Sequence, residues 1–103
     1  MVDKRTPTAR TIEWLEAHGW TADVVERRVT RSISRDWLGV ADIIAIRQGE
    51  TVAVQATSAS NVASRVRKVE ESPELNVIRD AGWRVWVVGW RKDRDDPRVE
   101  DLS

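Results

Sequence analysis

Apolar and polar positions along the chain change period several times, and each change marks an element. TARTIEWLEAH carries apolar residues at helical spacing, with Ala9, Ile12 and Leu15 on one stripe and Glu13 and Glu16 beside it. Thr6 suits its N-cap, Pro7 its first turn and Gly19 the left-handed residue that ends it. TADVVERRVT is β-prone over about 22–30, and the RSISRDWLG that follows is a polar, arginine-bearing connection. VADIIAIR and TVAVQATS are apolar runs on either side of RQGE, whose Gly49 suits a tight turn, so they predict an antiparallel hairpin. SASNVASRVRKVEES is helical, with Val62, Val66 and Val69 on one side and Arg65 and Lys68 on another. Ser72-Pro73 repeats the cap-and-proline start for a helix that ends at Gly82. WRVWVVGW predicts a central strand, and KDRDDPRVEDLS an acidic, flexible tail. The order α-β-β-β-α-α-β predicts an α/β sheet with helices against it, in one domain over 1–92 with a tail over 93–103.

Composition narrows the chemistry. The chain has no cysteine and one histidine, His18, which argues against disulfides, thiolate metal sites, zinc centres and histidine-based triads. No run approaches the length of a membrane span, and MVDKRTPTAR lacks the apolar core of a signal peptide, so a cytoplasmic protein with no membrane partner is expected. Net charge is zero but unevenly placed: residues 27–92 hold twelve Arg/Lys against seven Asp/Glu, and 93–103 hold two against five. Fourteen of the seventeen basic residues are arginine, the side chain suited to bidentate contact with phosphate. All six aromatic residues are tryptophan. Most belong in a core, while Trp37, beside the arginine-bearing loop, is placed either to pack beneath it or to stack on a base.

The hairpin carries three polar residues where apolar ones are expected: Asp42 at its start, and Gln55 and Thr57 two apart near its end. Gln55 and Thr57 share a face by strand alternation. A register that sets Asp42 opposite them gathers oxygen donors at one sheet edge, a set that suits Mg²⁺. Such an ion polarises a phosphodiester and lowers the pKa of an attacking water. The plainer alternative is a strand-entry aspartate followed by the polar face of an edge strand.

Asp42, twelve intervening residues and then Gln55-Ala56-Thr57 resembles the D-x(n)-E-x-K signature of the PD-(D/E)XK nuclease superfamily. The spacing is most similar to Holliday-junction resolvases of archaeal type and related phage nucleases. The element order over residues 7–91 is similar too, and the resemblance implies a restriction-endonuclease-like αβββαβ core with a mixed sheet flanked by helices. Carried over, Asp42 is the metal-binding aspartate, Gln55 stands in the place of the second acidic ligand, and Thr57 in that of the catalytic lysine. Glu13 or Glu16 matches the helix-one glutamate, as a catalytic or a metal-binding group, and Ser32 or Ser34 the loop serine. Two departures follow: Gln55 offers a carbonyl but no charge, and Thr57 offers no cation. Lys68 or Arg65 on the next helix is placed to supply the missing cation, and Glu26 to supply the missing carboxylate. Arg31, Ser34, Arg35, Arg65 and Arg67 are the candidate DNA contacts. The resemblance thus implies a Mg²⁺- or Mn²⁺-dependent endonuclease acting on branched or duplex DNA as a homodimer. A DNA-binding or protein-interaction module with a decayed site is the second expectation, and a small α/β protein without a nucleic-acid partner the third.

Overall fold

The computed structural model describes residues 3–103. In chain order they form helix α1 (Pro7–Ala17), strands β1 (Thr21–Val24), β2 (Arg27–Arg28), β3 (Ser34–Arg35), β4 (Ile43–Arg47) and β5 (Glu50–Ser58). A 3-10 turn (Ala59–Asn61) then leads into helices α2 (Val62–Glu70) and α3 (Leu75–Asp80) and strands β6 (Arg84–Trp90) and β7 (Arg98–Asp101). Five strands make one mixed sheet in the order β1–β4–β5–β6–β7. Only the β5–β6 pair is parallel, which requires the crossover that α2 and α3 supply.

Local chemistry explains most boundaries. The Thr6 hydroxyl accepts the Ala9 N–H at 3.1 Å, Pro7 follows it, and the helix ends before Gly19 at φ 86°. The hairpin closes across Gln48-Gly49, with Gly49 at φ 75° and Arg47 paired to Glu50. Alternation along β5 then divides two cores. Val52, Val54 and Ala56 pack with Leu15 of α1, Ile43, Trp20, Val88 and Trp90 on one side of the sheet. Ala53 packs with Val62, Val69, Leu75, Ile78, Val85 and Val87 on the other, beneath α2 and α3. Gly89 lets the 3-10 turn and α2 reach β6, since a Cβ there would lie 2.2 Å from Val62 Cγ2 and 3.0 Å from Ala59 Cα.

Three expectations need correction. The tail over 93–103 is not a free appendage: its β7 pairs antiparallel with β6, and the Leu102 N–H donates to the Val85 carbonyl at 2.8 Å. A strand as buried as β6 must satisfy its peptide groups on both edges, and the tail provides the second edge. The first long strand breaks after Val24, where the chain leaves the sheet and folds into a separate ribbon, β2 against β3, inside the expected loop. On α1 the buried residues are Arg10, Thr11 and Leu15, whereas Ala9 is exposed. Arg10 is buried because its guanidinium donates to the Arg91 and Arg94 carbonyls at 2.7 and 2.6 Å and lies 4.5 Å from the Trp90 ring. Among the described residues, no helix is long and apolar enough to cross a membrane.

Candidate metal centre

Asp42 sits at the entry to β4 with 5% of its surface exposed. Its backbone N–H donates to the Val54 carbonyl at 3.0 Å, and its carboxylate accepts the Ala56 N–H at 3.1 Å, so β5 fixes it from both ends. Burial pushes the Asp42 carboxyl up to about 7; the nearby Asp36 and Glu26 charges add to the rise and the Ala56 N–H opposes it. Carboxylate oxygens of Glu26, Asp36 and Asp42 all lie within 4.8 Å of one another. Glu26 stands between β1 and β2, and Asp36 directly follows β3, so the ribbon between them delivers two of the three carboxylates.

These groups open into a cavity of about 420 Å³ whose walls include Thr57, Ser34, Arg65 and Lys68. The N-terminal turn of α1 contributes Pro7 and Thr8, the end of β5 contributes Ser58, and the turn before α2 contributes Asn61. Three hard oxygen donors at this separation fit a divalent cation such as Mg²⁺ or Mn²⁺, which would also offset their mutual repulsion. Lys68 is ion-paired to Asp36, so a cation wall stands directly beside the anionic cluster.

The sequence-derived residues divide clearly. Asp42, Thr57, Ser34, Arg65 and Lys68 come together around the cavity, and Glu26 lies with Asp42 in the acid cluster. Gln55 does not offer its oxygen to the cluster. Its amide donates to Asp36 Oδ2 at 3.1 Å and to the Val40 carbonyl at 3.0 Å, and its Oε1 accepts from Arg65 at 2.9 Å. Both N–H donors of that amide and one acceptor direction of its oxygen are used in tying the loop before β4 to α2. Glu13 turns away from the cavity and pairs with Arg5, and Glu16 is exposed outside the acid cluster. Arg31 is exposed at the bend of the β2–β3 ribbon, Arg67 is exposed in the last turn of α2, and Ser32 closes a turn with Thr30. Trp37 stacks on Trp83 with ring centroids 5.3 Å apart and an interplanar angle of 11°, which covers one of its faces.

Asp36 is the residue that sequence reasoning missed. Its signal is faint: a lone acid in an arginine-bearing loop, six positions before Asp42. Only the folded ribbon shows that Gln55, Lys68 and the acid cluster meet on it. Comparison of the chain with protein-family models, curated proteins and solved structures returned no match.

Proposed function

We propose that this protein is a metal-dependent nuclease of the PD-(D/E)XK kind, acting on DNA phosphodiesters, with a rearranged ligand set. The observation that carries this reading is the convergence of Glu26, Asp36 and Asp42 in a cavity walled by Arg65 and Lys68. Glu26 and Asp36 take over the charge that Gln55 lacks, and Lys68 takes over the cation that Thr57 lacks. A divalent ion held there would polarise a phosphoryl oxygen and generate a hydroxide-like nucleophile from bound water. Arg65 and Lys68 are placed to contact phosphate, and Thr57 and Ser34 to hydrogen-bond to it. The order of α1, β1, β4, β5, α2 and β6 supports a restriction-endonuclease-like core. Branched or duplex DNA is the partner under this reading, with a second copy of the chain wherever two symmetric strands are cut.

One observation favours the second reading, a binding module without catalysis. Arg65 is held by Gln55 and Lys68 by Asp36, so each cation already has a partner within the protein. Titration calorimetry with Mn²⁺ and Mg²⁺, run beside cleavage of a four-way junction, a splayed duplex, single strands and linear duplex, separates the two. Metal binding and cleavage that both vanish in Asp42→Ala are the expected result. Metal binding without cleavage would leave the module, and no metal binding would sink the centre altogether.

A further inference from the structure

A second cavity, of about 510 Å³, shares Asp36 with the acid cluster. Its lining breaks two local rules. Arg27 and Arg35 are direct cross-strand partners in the β2–β3 ribbon, so two guanidinium side chains occupy the same face with like charge. Among the described residues, neither is ion-paired to a carboxylate that would offset this repulsion. Leu38 has a positive φ of 52°, a conformation that leucine rarely adopts, yet its side chain is 43% exposed. Val29 on the ribbon is 45% exposed. Rule-breaking that concentrates in one place marks a site, because the rest of the fold must hold it there.

The wall is held in place. Ser72 donates to the Leu38 carbonyl at 2.9 Å, and Trp37 is clamped against Trp83. The result is an apolar surface of Val29, Trp37 and Leu38 facing two arginines that have no carboxylate partner among the described residues. That combination matches one nucleotide: a phosphate taken by paired guanidinium groups and a base laid on apolar side chains. We propose that this cavity receives an unpaired nucleotide of a nucleic-acid strand whose neighbouring phosphate lies at the acid cluster. A base stacked and paired in a duplex cannot enter it, so the pocket selects single-stranded or splayed DNA. The inference rests on the nuclease reading of the adjoining centre and adds the substrate class.

The test is fluorescence anisotropy in EDTA with three labelled probes: a twelve-nucleotide oligothymidylate, a splayed duplex and a blunt duplex. Working without metal keeps the outcome independent of metal binding at the acid cluster. The single-stranded and splayed probes should bind about tenfold tighter than the blunt duplex. Replacing both Arg27 and Arg35 by alanine should abolish that difference and lower the slope of log K against log salt by about 1.4, two single-strand phosphate contacts. Arg98→Ala, on the opposite edge of the sheet, should change neither. Arg27→Glu guards against misfolding, since it replaces a repulsive cross-strand pair by an attractive one. It should lose single-strand affinity while its melting temperature stays level or rises. Equal affinity for blunt and single-stranded probes, or an Arg27→Glu protein that binds as before, overturns the pocket. Thymidine 5′-monophosphate competing as strongly as the oligonucleotide would overturn its assignment to a strand. If the pocket fails while Asp42-dependent metal binding stands, the nuclease reading survives it. Arginine-dependent strand binding without any metal binding would leave the pocket standing and overturn the nuclease reading.

Discussion

A carboxyl buried at the mouth of β4 is a liability to the fold unless something shares its charge, and Asp42 shows the cost in its titration. Its folded pKa of about 7 lies above the ordinary aspartate value, so the folded state holds the proton more tightly than the unfolded chain does. This contribution to stability is therefore complete below about pH 4 and is lost between about pH 4 and pH 7, at about 1.4 kcal/mol per unit. Asp42→Asn removes the charge and keeps an oxygen for the Ala56 N–H. At about pH 8 the variant should be more stable than the parent by about 1–3 kcal/mol, with the gap closing towards pH 4. Urea unfolding at several pH values measures it. Added Mn²⁺ should stabilise the parent at about pH 8 and leave Asp42→Asn unmoved, since a ligand that binds only the folded state stabilises it by mass action. The same titration makes metal affinity fall as pH drops through about 7, because proton and ion compete for one carboxylate. A gap that ignores both pH and metal would mean that Asp42 carries no strained charge.

At the scale of elements, the hairpin β4–β5 is legible in the sequence because two continuous apolar runs and a glycine turn state it locally. What that pattern does not state is where a side-chain amide goes once α2 and the β2–β3 ribbon close over it. Its place in a motif makes Gln55 a metal ligand, yet its three hydrogen bonds reach Asp36, Val40 and Arg65, residues 19, 15 and 10 positions away. Asp36 is silent in the sequence for the same reason: the ribbon that carries it is two residues long on each side, too short to show a period. Glu13 shows the opposite failure, a helix position with the right residue type on a face that turns to Arg5. The bonding of Gln55 leads to a counterintuitive expectation. Gln55→Glu supplies the acidic residue that the PD-(D/E)XK signature carries at this spacing, but it also deletes the donor to Asp36 and sets another carboxylate 3.1 Å from it. The variant should lose about 2–4 kcal/mol of stability and gain no metal affinity, as judged by urea midpoint and calorimetry. A variant that binds Mn²⁺ more tightly at unchanged stability would show that Gln55 faces the centre after all.

For the molecule as a whole, composition misleads most at the tail. Five acidic residues among the last eleven suggest a solvated end, but strand formation there answers a need elsewhere in the chain. Arg84–Trp90 is buried along most of its length and pairs with β5 on one side only, so without β7 its other edge presents free peptide groups beside valine and tryptophan. The tail closes that edge with four residue pairs from Trp86 to Gly89. Arg79 of α3 donates to the Leu102 carbonyl at 2.7 Å, and Ser103 Oγ accepts the Val85 N–H at 2.9 Å. The end of the chain is thus tied to a helix on one face and to the sheet beside it. Removing residues 98–103 should cost about 3–5 kcal/mol, a large part of the stability of a domain this size. It should also turn the exposed edge of β6 into a template for strand addition, visible as concentration-dependent light scattering. If the shortened chain keeps its urea midpoint and stays monodisperse, the sheet ends at β6 and the tail is the appendage its charges suggest. If instead it fails as expected, the acid-rich end is a structural strand, and its carboxylates serve solubility on the outer face while its backbone serves the sheet.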